Sequence, residues 1–426
     1  MSEAEAVITP LLSPAGGVPE IIESDAALKS AIEKLAAGSG PIAVDAERAS
    51  GYRYSARAYL IQIKRNSEIF LIDPIPFSQT TSPLIEELNK VIQSDEVILH
   101  ASTQDLPCLR EWGLNPLKLF DTELGARLAG LPRVGLGALV EHFFQLSLAK
   151  EHSAVDWSQR PLNKEWINYA ALDVELLIEI REHIARLLAD NGKLEWALSE
   201  FQSILNAPPA APREDPWRRT SGMHKIRKRE HLAVVRELWL ARDAIASKAD
   251  VAPGRLLSDN AITELAVHSP ITTKTFQKTL KPIGLRPRWM ENVNVWIDAI
   301  TKAQSAELPQ MRLSGDGMPP IKQWRDKFPE RYAPLTHARE AVNQRALELN
   351  MPAENLITPE FVRRVCWDQT RPELNLVIEK LSKLGARNWQ IEQVAPLLAH
   401  ALTQSEPVPE PVSDPGAESA SAEGSK

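Results

Sequence analysis

"PIAVDAERAS", residues 41–50, opens as a buried strand should. Behind Pro41 run Ile42, Ala43 and Val44, and then come Asp45 and Glu47, two carboxylates two positions apart. Side chains at i and i+2 of a strand share a face, so the two acids point the same way. At roughly 6 Å and an effective dielectric near 20, their repulsion costs on the order of 3 kcal/mol, a large share of a domain's net stability. A divalent cation would relieve it. The alternative is a strand that stops at Asp45 and a solvated loop beyond it.

Working outward, "VPEIIES" reads as a short strand, and Ser24 starts a helix through Leu28, Ile32 and Leu35. "AYLIQIKR" and "EIFLIDP" are apolar strands on either side of Asn66-Ser67, which suits a hairpin. A helix over about 82–93 leads to the buried strand "EVILH", after which Ser102 or Thr103 is expected to cap a helix. "LKLFDT" reads as the last strand, and helical periodicity runs from Asn163 to Leu188. A hairpin followed by strands alternating with helices implies a mixed α/β sheet.

Beyond about residue 207 the texture changes. "NAPPAAPREDP" is a proline-rich linker, and nothing after it alternates like a strand. This helical half contains a weak repeat: "ARDAIASKADVAPGRLLSD" (241–259) is matched by "AREAVNQRALELNMPAENLITP" (338–359), with Ser258 and Thr358 each placed to cap the next helix. The expected boundaries are a flexible leader at 1–17, an α/β domain at 18–206, a linker at 207–222, and helical domains at 223–303 and 304–403. An acidic tail at 404–426, rich in Pro, Ser and Ala, is expected to be disordered.

The chain has 426 residues, 43% of them hydrophobic and 25% charged, as in soluble globular proteins. It has no apolar run of membrane-spanning length and no signal-peptide pattern at its start, so a cytoplasmic location without membrane attachment is expected. Two cysteines, Cys108 and Cys366, exclude a Cys-rich zinc site and argue against a disulfide framework. The net charge of −7 disfavours tight, indiscriminate binding to nucleic acid. It also hides "RRTSGMHKIRKREH" (218–231), with six Lys or Arg against one acid.

More acids fall in place around the first pair. "HASTQDLPCL" puts Asp105 in the first turn of a helix just past a strand's carboxyl end, and "YAALDV" sets Tyr169 and Asp173 side by side at i and i+4. Each has a plain alternative, an acid at a helix N-terminus for Asp105 and a surface Tyr-Asp contact for the pair. As an ordered set, Asp45, Glu47, Asp105, Tyr169 and Asp173 resemble the DEDD exonuclease superfamily, in the subclass whose third motif is Tyr-x-x-x-Asp. Over about residues 20–205 the chain is more closely similar to the ribonuclease D family, through "YLIQI", "HASTQDL", "DWSQRPL" and "YAALDVELL". It departs at "VDAE", where the family often has Thr between the acids. "LWLARDAIASKADVAPGRLLSDNAITELA" resembles the HRDC (helicase and ribonuclease D C-terminal) module, and the segment after it does so more loosely.

The resemblance implies an α/β ribonuclease H-like exonuclease domain, a mixed sheet flanked by helices, followed by two all-α HRDC-like domains. It implies a 3′-5′ exoribonuclease releasing nucleoside 5′-monophosphates, in maturation of tRNA or other structured RNA 3′ ends. Two divalent ions, Mg²⁺ or Mn²⁺, would be held by Asp45, Glu47, Asp105 and Asp173, with Asp45 bridging them and Tyr169 orienting water. The partner implied is RNA with a free 3′ end; no obligate protein partner is implied, and a monomer is compatible with it. A DNA 3′-5′ exonuclease, or a non-catalytic nucleic-acid-binding scaffold, remains as an alternative.

Arg53, Arg57, Lys150 and Arg160 are candidates for phosphate contacts, as are Arg218, Arg219, Lys225, Arg227, Lys228 and Arg229 of the basic run, with a solvated basic surface as the alternative. His100 and Trp157 read as structural, and Asp121 as a helix N-cap left outside the cluster.

Overall fold

The computed structural model describes residues 8–77, 82–148, 155–311, 317–368 and 371–405. Lys150 and the acidic tail beyond Ser405 lie outside the described residues. The chain divides into two units, residues 1–125 with 133–314, and residues 315–426 with the short stretch 126–132.

The first unit is built on a sheet whose strands fall where apolar runs meet turn residues. The strands are β1 (Thr9–Pro10), β2 (Ile21–Ile22), β3 (Ile42–Arg48), β4 (Ala58–Arg65), β5 (Glu68–Ile72), β6 (Glu96–Leu99), β7 (Lys118–Asp121) and β8 (Leu146–Ser147). Six form one sheet in the order β2-β5-β4-β3-β6-β7. β3, β4 and β5 are antiparallel neighbours, and the other pairings are parallel. β3 runs through Glu47 to Arg48, so the strand does not stop at Asp45. The β4–β5 hairpin turns at Asn66, whose φ of 53° is a left-handed conformation that asparagine tolerates.

The helices of this domain are α1 (Asp25–Ala37), α2 (Pro83–Ser94), α3 (Leu106–Trp112), α4 (Thr122–Ala129), α5 (Leu136–Phe144), α6 (Lys164–Glu175), α7 (Leu177–Asp190) and α8 (Leu194–Asn206). The helical stretch expected from Asn163 to Leu188 is two helices, broken at Leu176. All eight residues of β4 are buried, among them Lys64 and Arg65. Both cations are partnered: Lys64 donates to the Glu175 carbonyl, and Arg65 pairs with Asp95 and donates to the Leu35 carbonyl. Their long aliphatic stems fill the interior while the charged ends stay paired.

Two local expectations are corrected, and the N-cap role of Asp121 is borne out. Ser102 does not cap α3, whose N-cap is Asp105; Ser102 donates instead to Asp121, at 2.6 Å from its hydroxyl. A 3.0 Å bond from the Leu124 N–H to Asp121 shows why Asp121 caps α4 while also holding the turn before α3. The leader is not free over its described part. β1 pairs with β8, a strand missed because two residues carry no periodicity, and the Ala15 N–H donates to Glu175.

The linker ends sooner than residue 222, because Trp217 belongs to the helical core beyond it. That core joins α9 (Arg229–Ala249), α11 (Asp259–His268), α12 (Thr273–Leu280), α13 (Pro287–Glu291) and α14 (Val293–Ser305), with the short α10 (Pro253–Leu256) between α9 and α11 in the chain. Asp250 leaves α9 at φ 47°, and Ser258 caps α11 by accepting from the Ala261 N–H.

The second unit contains α15 (Trp324–Lys327), α16 (Pro329–Glu348), α17 (Ala353–Leu356), α18 (Pro359–Trp367), α19 (Leu374–Leu384) and α20 (Asn388–Ala401). Asn350 leaves α16 at φ 46°, the conformation Asp250 has after α9, so the repeat extends to the backbone turn. Thr358 stands at the N-cap of α18 without a side-chain capping bond. Among the described residues no helix is long and apolar enough to cross a membrane.

Candidate active site

Strand alternation delivers Asp45 and Glu47 to one face of β3, and α6 crosses that face. The helix can approach closely because the residues it presents are small: Ala170 and Ala171 pack into a core with Ala49, Tyr59, Leu60, Leu71, Trp157 and Leu162. One turn on, Asp173 meets the strand acids. Carboxylate oxygens of Asp45, Glu47 and Asp173 all lie within 4.8 Å of one another. Tyr169, four residues before Asp173, donates its hydroxyl to that carboxylate. Asp105 reaches the neighbourhood from the N-cap of α3 and is buried at 6% exposure.

Burial and mutual repulsion govern the charges. Burial raises Asp45 to about 6, against smaller lowering effects of the Ala46 N–H and the Arg48 guanidinium. Burial raises Asp105 to about 8, with Asp45 adding to the rise and Arg48 opposing it. Glu47 and Asp173 are pushed well above the usual carboxylate range by burial and then by the neighbouring acids. Tyr169 is pushed up by burial and by the charges of Asp173, Glu47 and Asp45, so its phenol stays protonated at neutral pH.

An all-oxygen donor set of converging carboxylates fits hard divalent cations rather than thiophilic metals. Cys108, close to Asp105, is a buried thiol pushed up to about 12 by burial first, and offers no thiolate. Next door in the ladder, Gln62, registered opposite Asp45 and fully buried, has neither amide atom hydrogen-bonded within the protein.

The basic candidates divide. Arg160 is committed to the fold. Its Nε and Nη2 grip both oxygens of Asp73 at 2.5 and 2.8 Å, and it also donates to the carbonyls of Tyr59, Trp157 and Gln159. It is therefore corrected from phosphate ligand to structural fork. Arg160→Ala is expected to lower unfolding free energy by about 3–5 kcal/mol in a urea titration, because it strands the buried Asp73 carboxylate. A loss of RNA binding with unchanged stability would restore the phosphate role.

Arg218 is held by Asp215 and the Gln310 carbonyl, and Lys225 by Glu264. Arg229 donates to the carbonyls of Leu308 and Pro309. These three have part of their hydrogen-bonding capacity engaged within the helical domain, and Lys225 and Arg229 remain exposed. Arg219, Arg227 and Lys228 are exposed. Arg53 donates to Ser158, and Arg57 lies 4.0 Å from Asp250 and over the Tyr59 ring. His100 bonds Thr122 and is lowered by burial, and Trp157 is fully buried, both structural as expected.

Sequence reading missed two features. Arg48, directly after Glu47, lies against Asp105. The loop that follows, Ala49–Arg57, is tied to the first helical domain. The Ser55 N–H donates to Asp250, the Tyr54 hydroxyl to Asp243, the Ala252 N–H to the Tyr52 carbonyl, and Arg255 to the Gly51 carbonyl. Partners some 200 residues away leave no local signal.

The sheet, its helices and this cluster define a 3′-5′ exonuclease domain carrying helical modules. A family model described as 3′-5′ exonuclease matches residues 19–189, an HRDC domain matches 231–286, and a 3′ to 5′ exonuclease C-terminal domain matches 317–402. The ribonuclease D of Acidiphilium cryptum is 32% identical over 61% of this chain and 65% of that protein. A crystal structure of a protein from Bifidobacterium adolescentis is 37% identical, covers 93% of this chain and 99% of that one, and superposes with a TM-score of 0.83. Escherichia coli RNase D, described as an exoribonuclease involved in structured RNA processing, shares the fold at 24% identity and a TM-score of 0.65, over 90% of this chain and 98% of that one. The chain thus carries a 3′-5′ exonuclease domain and an HRDC domain and is similar to ribonucleases D. It spans 62–65% of the length of the first curated relatives it matches.

Proposed function

We propose that this protein is a metal-dependent 3′-5′ exoribonuclease that trims structured RNA, precursor tRNA among its substrates, to nucleoside 5′-monophosphates. The observation that carries this reading is the convergence of Asp45, Glu47 and Asp173 with Tyr169 beside them, in a chain matched by an exonuclease family model. The names of the relatives support RNA over DNA. The matched segments support a division into an exonuclease domain over about 18–206, an HRDC domain to about 303 and a further helical domain to about 403. Two free, buried cysteines suit a reducing cytosol.

Asp45, Glu47, Asp173 and Asp105 would hold two Mg²⁺ or Mn²⁺ ions. Such a pair, when bound, supplies positive charge to both the attacking and the leaving oxygen of an in-line displacement. The chain's own part is positioning. Tyr169, protonated and already donating to Asp173, orients the attacking water and takes no proton from it. Tyr169→Phe is expected to slow single-turnover trimming by ~10²-fold, the cost of a misplaced nucleophile, while Mn²⁺ affinity stays unchanged. An equal loss of Mn²⁺ affinity would make the residue part of the ion site instead.

A time course on 5′-labelled RNA with a free 3′ hydroxyl, in Mg²⁺, Mn²⁺ or chelator, tests the whole reading. A ladder shortening from the 3′ end, absent in chelator, is the expected result. RNA that stays intact in every metal while the protein binds it would favour a scaffold, and preferential trimming of DNA would overturn the substrate.

A further inference from the structure

Strict strand alternation would send Arg48 to the face opposite Glu47. The ladder breaks there: Glu47 pairs with Leu60 but Arg48 with Ala58, one residue out of step. The extra residue, Tyr59, lies on β4, and irregularities of this kind sharpen the local twist of the pair. The Arg48 guanidinium reaches α3, with Nε 3.6 Å from Asp105 Oδ1 and Nη2 donating to Gln104 at 3.3 Å. Asp105 is also the acid that does not join the trio converging within 4.8 Å. Arg48 thus stands toward Asp105 where a cation would stand.

The contact differs from the structural arginine pairs of this domain. Arg160 grips Asp73 through two bonds of 2.5 and 2.8 Å, and Arg181 meets Glu96 at 2.7 Å. Arg48 makes one long ion pair, 3.6 Å and beyond the ~2.7–2.9 Å of charge-assisted hydrogen bonds, although its side chain is no more exposed than those of Arg160 and Arg181. A phosphate offers the same guanidinium a bidentate partner and is the better acceptor.

Taking the exoribonuclease reading as its basis, we propose that Arg48 competes with a divalent ion for Asp105 and gives the carboxylate up when a substrate or product phosphate takes the guanidinium. Arg48 is then a positioning residue that couples phosphate binding to loading of the ion at Asp105. Coupling of this kind is reciprocal: the phosphate tightens the ion, and the ion tightens the phosphate.

Mn²⁺ titrations of the full chain, alone and with AMP as a phosphate that cannot be trimmed further, test this. In the natural protein AMP is expected to tighten the weaker Mn²⁺ step by roughly fivefold or more. Arg48→Met should bind that Mn²⁺ tightly without AMP and gain little from it. Arg48→Lys keeps the charge but lacks the fork, so it should retain competition and lose part of the AMP response; it also stands in if Arg48→Met does not fold. RNA binding in chelator should weaken in Arg48→Met, with a salt slope smaller by about one. An Arg48→Met isotherm that matches the natural protein, or an equal AMP effect in both, would overturn the proposal while RNA trimming by the natural protein left the exoribonuclease reading standing. A natural protein that neither binds Mn²⁺ nor trims RNA would remove both.

Discussion

Asp45→Asn is expected to slow RNA trimming by on the order of 10³-fold or more and, in chelator, to raise the melting temperature. The first half follows from position. Asp45 stands with Glu47 on its own strand and Asp173 on α6, and offers one oxygen to the cluster that converges within 4.8 Å. An amide of the same shape keeps the packing but withdraws the negative charge on which ion binding depends, and losing one preorganised electrostatic group typically costs 10²–10³-fold even where no metal is involved. The second half follows from repulsion. Glu47, Asp105 and Asp173 are each raised in part by the Asp45 charge, so neutralising it lets the others ionise more cheaply. A site built for a cation is a destabilised site without one, and a substitution that destroys activity while stabilising the chain marks that trade. Single-turnover trimming and a thermal melt in chelator measure the two halves. Activity within tenfold of the natural protein would remove Asp45 from the centre of the mechanism.

How much of this could be read from residues alone depends on the range of the interaction. Asp45 and Glu47 share a face because a strand has period two, and Tyr169 and Asp173 neighbour each other because a helix has period 3.6. Those rules act within a few residues, so the elements and the acids were legible. Arg48 was not, because the same alternation puts it on the wrong face and only the pairing of β3 with β4 reveals the break at Glu47. Ser102 looked like a cap because a hydroxyl near a helix start commonly is one; a buried carboxylate nineteen residues on, Asp121, proved the stronger acceptor. Arg160 and Arg218 looked available for phosphate because sequence shows a charge but not its counter-charge, here Asp73 and Asp215. Lysines and arginines are thus the residues whose roles sequence reads worst, since their long stems reach partners that no local pattern names.

In chelator the protein is expected to lose stability as pH rises from about 4 to 8, and divalent ions are expected to reverse the trend. The sign follows from where the carboxyls titrate. Asp45 rises from 3.8 to about 6 in the fold and Asp105 to about 8, while Glu47 and Asp173 rise well above their ordinary values. A group that holds its proton more tightly folded than unfolded contributes stability in full below its unfolded pKa and loses it as pH climbs through the folded one. For Asp45 alone, the rise from 3.8 to about 6 corresponds to on the order of 3 kcal/mol. Paired surface acids act the other way. Burial pushes Asp250 up, but the Ser55 N–H and hydroxyl and the Arg57 and Arg53 charges hold it below its ordinary value, so its contribution fades only in acid. The two trends together place the optimum in chelator on the acid side of neutral. Mg²⁺ or Mn²⁺ binds the ionised carboxylates and expels their protons, so stability at pH 8 should recover more than at pH 5, and metal binding should release protons to the buffer. Melts at pH 5, 6, 7 and 8, with metal and with chelator, measure the effect, and Asp45→Asn should flatten the chelator curve. A melting temperature that climbs steadily from pH 5 to pH 8 in chelator would mean the four acids do not share a charge-repelling site.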